Sequence, residues 1–195
     1  MTVFLVRHGQ SAGNAGRVFS GITDHPLTDL GRAQATEAGR KLAGRRFAQV
    51  LTSELSRARE TARLLLAAAG AGDIPGTVLP GLNERNFGVF EGASDPGNDA
   101  LPATDLRRRV YLDVDFQPEG GESMRACLKR AVACFEGEIL PLAAHGDLLV
   151  VAHGNIIRSL ALVHLGWPLE MLPEMPSRNC LITRIEPAGW SSAGY

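Results

Sequence analysis

The stretch FLVRHGQSAGN, residues 4–14, decides how the rest of the chain is read. Residues 3–6 are all apolar and predict a strand with no polar alternation. Such a run belongs to a strand covered on both faces, as in a parallel sheet. The strand runs directly into Arg7-His8-Gly9. In open parallel sheets ligands bind beyond the carboxyl ends of strands, so this triplet stands where chemistry is expected.

Outward from it, helical and strand patterns alternate. Residues 28–42 predict a helix with Thr28 as N-cap, and 49–52 a short strand. Residues 55–69 repeat Leu55, Ala58, Ala62, Leu65 and Ala69 at helical spacing, with Gly70 to end them. A further strand is expected at 77–79, a long helix at 123–140, a strand at 148–152, a helix at 155–165 and a last strand at 180–185. Residues 88–121 break the pattern: they are rich in Gly, Pro, Asp and Asn, with one basic cluster in DLRRRVYL. They read as a cap-like excursion over one end of the sheet, containing a short helix. The expected fold is α/β: a three-layer α/β/α sandwich with a mainly parallel central sheet, in one domain spanning 1–195.

Bulk properties narrow the function. A length of 195 residues suits a single domain. A net charge of −1 argues against broad nucleic-acid binding, which needs a basic surface. The three cysteines show no CxxC spacing and fit a reducing compartment. No secretory pattern and no apolar run of membrane-spanning length occurs. A cytoplasmic protein is expected, monomer or homodimer, with no membrane or nucleic-acid partner.

The strand ends gather one set of side chains. Strand 3–6 delivers Arg7 and His8; strand 148–152 delivers His153, Gly154 and Asn155. Strand 49–52 is followed by Ser53 and then Arg57, and strand 77–79 by Asn83, Glu84 and Arg85. A third His-Gly pair, His145-Gly146, precedes its strand instead, so by position it should be inert. Taken singly, each histidine is as well explained as a structural residue. Together with converging arginines they describe an anion cradle, because clustered buried cations are costly unless an anion neutralises them. A phosphoryl group suits it. A neutral imidazole in the cradle attacks phosphorus, and a nearby carboxyl group protonates the leaving oxygen and then activates water. The competing reading takes His8, His153 and Glu84 as metal ligands, but their spacing resembles no metal motif and Arg7 and Arg57 would repel a cation. No metal or other cofactor is expected.

These motifs, in this order, resemble the histidine phosphatase superfamily, also called phosphoglycerate mutase-like. The resemblance rests on RHGQS followed by Asn14, on FSGITDHPLTDLGRAQA, TSELSRARETA, LNERNFGVFEG and VVAHGN, and covers nearly the whole chain. It implies that His8 is the nucleophile, that Arg7, Arg57 and His153 hold the phosphoryl oxygens, and that Glu84 is the proton donor and acceptor. Asn14, Ser20, Gly21, Ile22, Arg85 and Asn155 would bind substrate. His8 must then be neutral, with one ring nitrogen tied by a hydrogen bond, and His153 is more useful protonated. The substrate would be a small phosphorylated metabolite. LNER and AHGN resemble the mutases, which would need 2,3-bisphosphoglycerate as primer. Residues 120–123 with Arg130 resemble the phosphatase branch, and no lysine lies between Lys41 and Lys129 to serve as a mutase's substrate lysine. Arg107 and Arg108 either grip substrate as a mutase's arginine pair does or belong to a solvated basic face. A phosphatase is the expected activity, a mutase the alternative, and a non-catalytic phosphate-binding module the remote one.

Overall fold

A computed structural model describes residues 1–95, 102, 104–193 and 195. The chain runs β1 (Val3–Arg7), α1 (Ala12–Ala15), α2 (Asp29–Lys41), β2 (Gln49–Thr52), α3 (Ser56–Ala69), β3 (Gly76–Val78), α4 (Leu106–Leu112), α5 (Met124–Cys134), α6 (Leu140–Ala143), β4 (Leu148–Ala152), α7 (Gly154–Leu165) and β5 (Ile182–Ile185). The sheet order is β3-β2-β4-β1-β5. All pairings are parallel except that of β5, an antiparallel edge strand beside β1.

The unbroken apolar strands feed two cores. Side chains alternate across the sheet, so Val3, Leu5, Leu148, Val150 and Ala152 join α5 and α7 on one face. Phe4, Val6, Leu149 and Val151 join α2 and α3 on the other. β4, the central strand, is buried at every residue. The three-layer arrangement expected from sequence is therefore present.

Local signals act where expected. The Thr28 hydroxyl caps α2 by accepting from the Gly31 amide, and Gly70 ends α3 in the left-handed conformation. The expected helix 123–140 is the exception. α5 stops at Cys134, a wide π turn covers Phe135–Ile139, and α6 then starts. Pro141 accounts for the break: it has no amide to donate to the preceding turn, and its ring needs the wider spacing.

The 88–121 excursion contains the short helix α4, as expected; residues 96–101 and 103 of it lie outside the described residues. It has its own small core of Phe19, Phe87 and Val110, with Phe90, Tyr111 and Phe116 against it. His145 precedes β4 in a turn, at the sheet edge away from His8 and His153.

Candidate active site

The register of β1 against β4 brings the two histidines together. Arg7 pairs with Ala152, and the His8 amide donates to the Ala152 carbonyl at 3.0 Å. One residue beyond each strand, His8 and His153 face each other with ring centroids 5.0 Å apart. β2 flanks β4 on its other side, which sets the Ser53 hydroxyl 2.7 Å from His153 Nε2. Gly9 is required where the chain leaves β1: a Cβ there would lie 2.3 Å from the Gly31 carbonyl oxygen.

The His8 ring is held in one tautomer. Its Nδ1 lies 2.7 Å from the Gly9 carbonyl, which can only accept, so Nδ1 carries the proton and Nε2 keeps its lone pair. Burial holds this imidazole well below the usual histidine range, and the Arg7 and Arg57 cations push it the same way. The His8 imidazole is thus held toward its neutral form, as expected of a nucleophile. His153 departs from expectation. Burial, then the charges of His8, Arg57 and Arg7, depress it as well, so it is neutral in the unliganded protein rather than protonated.

Two guanidinium groups, those of Arg7 and Arg57, act on both histidines, and a third, that of Arg158, is near enough to Arg7 to act on its charge. Arg7 donates through Nη1 to the Ser177 carbonyl and, at 2.9 Å, to the Ser177 hydroxyl. Arg57, 1% exposed in its side chain, donates to the carbonyls of Thr23, Ser20 and Gly21 at 2.8, 3.1 and 2.6 Å. The third, Arg158 on α7, was not foreseen; its Nη2 donates to Asn155 Oδ1 at 2.8 Å. In all three the Nε–H is buried without a partner, as is Nδ1 of His153. Buried donors are rarely left so. Among the described residues, neither Arg7 nor Arg158 has a carboxylate within ion-pair distance. Orphaned donors on desolvated cations are the complement of an oxyanion.

Glu84 is 7% exposed. Its Oε1 accepts from the Arg85 amide at 2.8 Å and its Oε2 from the Asn155 amide, in the first turn of α7, at 3.3 Å. Arg130 fixes the segment that delivers it. That side chain forms a two-point ion pair with Glu122 and donates to the carbonyls of Gly81 and Asn83 at 2.8 and 2.9 Å. Asn155, expected against substrate, therefore touches the carboxylate through its main chain and Arg158 through its side chain.

A cavity of about 150 Å³ opens over this group, lined by Arg7, Asn14, Ser20, Glu84, Asn155 and Arg158 among others. His8 and His153 are 3% and 0% exposed and do not reach its wall, but their chain neighbours Arg7 and Gly154 do. Asn14 and Ser20 stand where substrate contact was expected. Other residues expected against substrate make bonds within the protein. Arg85 borders the cavity, but its Nε, Nη1 and Nη2 donate to the carbonyls of Glu122, Val110 and Phe116 at 2.8, 2.7 and 3.1 Å. Its guanidinium ties the excursion down, with three of its five N–H groups spent on these carbonyls. The Gly21 and Ile22 amides are taken by the Glu91 carboxylate, each at 3.2 Å. Arg107 turns back onto Asp105 at 3.0 Å, Arg108 is half-buried on α4, and neither lines the cavity.

The residues missed in sequence act across the fold. Thr61 accepts from the Gly9 amide at 3.0 Å, and Asn179 donates to the His8 carbonyl at 2.8 Å. Ser177 and Asn179 belong to an irregular loop before β5 and carry no local signal. Arg158, one turn from Asn155 on α7, had one: it sits in the helix that follows a catalytic strand. Among the described residues no group of three or more His, Cys, Asp or Glu is placed to hold a metal ion. No described helix is long and apolar enough to cross a membrane.

Comparison with known proteins agrees with this geometry. The family model of the histidine phosphatase superfamily (branch 1) matches residues 3–192. The chain is similar to a 2,3-bisphosphoglycerate-dependent phosphoglycerate mutase of Methylobacterium sp. (strain 4-46), at 39% identity over 87% of this chain and 83% of that protein. It is similar to the like-named protein of Methylocella silvestris at 42% identity, over 82% of this chain and 79% of that one. Among solved structures, alpha-ribazole phosphatase from Shigella flexneri superposes with a TM-score of 0.80 at 27% identity, over 95% of this chain and 90% of that one. A mycobacterial glucosyl-3-phosphoglycerate phosphatase in complex with VO3 superposes with a TM-score of 0.77 at 28% identity, over 94% and 90%.

Proposed function

The chain belongs to the histidine phosphatase superfamily, and we propose that within it this protein hydrolyses a small phosphomonoester through a phosphohistidine at His8. The observation that carries the reading is the His8 ring. Its Nδ1 proton is tied to the Gly9 carbonyl, and Nε2 is left with a lone pair in a ring on which the Arg7 and Arg57 cations act.

The steps follow from those atoms. Nε2 of His8 forms a bond to phosphorus as the bond from phosphorus to the ester oxygen breaks. Glu84 gives its proton to the departing oxygen. The guanidinium groups hold the equatorial oxygens while charge builds on them. Glu84, now a carboxylate, takes a proton from water as that water attacks phosphorus, and His8 recovers its lone pair. Dianionic phosphate beside His153 opposes the depression of that ring, so His153 gains a proton as the ligand binds. No step in this scheme uses a metal.

A mutase would use the same phosphohistidine and return the phosphoryl group to a second hydroxyl, with 2,3-bisphosphoglycerate as primer. The names of the sequence relatives favour it; the engagement of Arg85 and Arg107 within the protein and the superpositions on phosphatases favour hydrolysis. One assay set separates them. Phosphate release is measured over a panel of phosphomonoesters, and 3-phosphoglycerate is incubated with and without 2,3-bisphosphoglycerate. The expected result is phosphate release that the bisphosphate does not accelerate. Bisphosphate-dependent formation of 2-phosphoglycerate establishes the mutase instead, and binding without turnover over the whole panel leaves a non-catalytic module.

A further inference from the structure

The main chain at Gly21, Ile22 and Thr23 forms a concave run of amides beside the reaction centre. An internal anion fills it. The Glu91 carboxylate accepts through Oε2 from the Gly21 and Thr23 amides at 3.2 and 3.1 Å. Through Oε1 it accepts from the Ile22 and Phe87 amides at 3.2 and 3.0 Å. Arg57 grips the same peptides from the other side, through the carbonyls of Ser20, Gly21 and Thr23. The loop thus turns its carbonyls to a cation of the site and its amides to a carboxylate. Successive amides of this kind bind anions without help from side-chain charge.

The approach is close and shaped for a carboxylate. A Cβ on residue 21 would lie 2.3 Å from Glu91 Oε1 and 2.0 Å from the Arg85 carbonyl, so only glycine admits this contact. The neighbours on either side, Ser20 and Phe87, line the cavity over His8. Among the described residues Glu91 has no cationic ion-pair partner within 4 Å. Its partners are four main-chain amides, of which Phe87 lines the cavity and residues 21–23 directly follow the cavity-lining Ser20.

We propose that Glu91 is a specificity-determining residue: it occupies an anion site of four main-chain amides, and so turns the enzyme away from substrates that carry a second carboxylate or phosphoryl group there. This rests on the phosphoryl-transfer reading of the site. An incoming second anion meets a fixed like charge and finds the donors already spent. A neutral or hydroxylated remainder meets neither penalty. The same device disfavours a bisphosphorylated primer.

The test compares glycerol 3-phosphate with 3-phosphoglycerate, which differ in a hydroxymethyl group against a carboxylate. Binding of each is measured by calorimetry in a His8→Ala background, so that the ester is not consumed. With Glu91 present, glycerol 3-phosphate is the tighter ligand. In Glu91→Ala the affinity ratio moves at least about tenfold toward 3-phosphoglycerate, the span expected from one charge-assisted contact. Added acetate refills the vacated amides and moves the ratio back. Glu91→Gln keeps the side-chain shape, removes the charge and shifts the ratio in the same direction; it decides the matter if the alanine variant does not fold. A ratio within twofold of the parent in the folded variant, with no response to acetate, overturns the proposal and leaves Glu91 as a tie between the excursion and the loop. Phosphate release by the wild-type enzyme is scored separately, so failure of the hydrolase reading is not mistaken for failure of this one.

Discussion

At His153 a single neighbour decides the orientation of the ring. Ser53 is fully buried and is the hydrogen-bond partner of Nε2. Removing its hydroxyl leaves a buried ring nitrogen unpaired, which costs about 1–3 kcal/mol. Ser53→Ala is therefore expected to lower kcat/KM by about 10- to 100-fold, with the larger share in kcat if His153 acts on the transition state. Steady-state kinetics on one phosphomonoester check it, and an unchanged kcat/KM removes the Ser53 contact from the account. The same scale shows what residue-level reading reaches. His8 and His153 were placed at the sheet edge from sequence because each follows a strand whose apolar run is plain. Adjacency to Glu84 says nothing of where the long Arg85 side chain turns; it donates to two carbonyls of the excursion and to that of Glu122 just after it. Glu91 was passed over because its partners, the amides at 21–23, lie about seventy residues away in sequence.

At the scale of elements, Arg85 ties the excursion to the segment that carries Glu84. Its three carbonyl acceptors span the end of α4, the turn after it and the approach to α5. Arg85→Ala loses these bonds and leaves buried carbonyls unsatisfied, a cost of about 3 kcal/mol or more. Limited proteolysis is expected to cut first within the excursion in this variant while the sheet resists. Uniform resistance equal to wild type contradicts the assignment. β1, β4 and most helices were readable because burial on both faces imposes unbroken apolar runs on those strands and because Thr28, Gly70 and Gly166 mark helix ends. The π turn at Phe135–Ile139 had a signal in Pro141, but a helical apolar stripe continuing on both sides of it hides the break. The loop before β5, carrying Ser177 and Asn179, follows no periodicity, and its place against Arg7 and His8 is set only by tertiary packing.

For the whole molecule, the two depressed histidines make stability depend on pH. Folded His8 and His153 resist protonation, whereas unfolded histidine takes a proton near pH 6.5. Below that pH the unfolded chain binds more protons than the native one, so stability falls as pH falls. Each ring contributes a slope approaching about 1.4 kcal/mol per pH unit. Urea unfolding at pH 7.5, 6.0 and 5.0 is expected to show this loss, and a His8→Gln, His153→Gln double variant to flatten it. An identical slope in the variant contradicts the buried neutral pair. Unpaired cations also predict strong ligand stabilisation. Vanadate at 100 times its Kd adds about 2.7 kcal/mol. In a chain of this size that raises Tm by roughly 5–11 °C. An Arg7→Met, Arg158→Met variant is expected to lose most of that rise.

The central claim is that His8 Nε2 takes the phosphoryl group. The most direct measurement is to mix the protein with a turned-over phosphomonoester, quench within milliseconds to seconds, and map the phosphate by mass spectrometry. The account predicts an acid-labile, alkali-stable phosphate on His8 that forms and decays at rates compatible with turnover, and no phosphoenzyme and at least about a thousandfold lower kcat in His8→Ala. A phosphate found on another residue, or a His8→Ala enzyme that turns over at the wild-type rate, would contradict it.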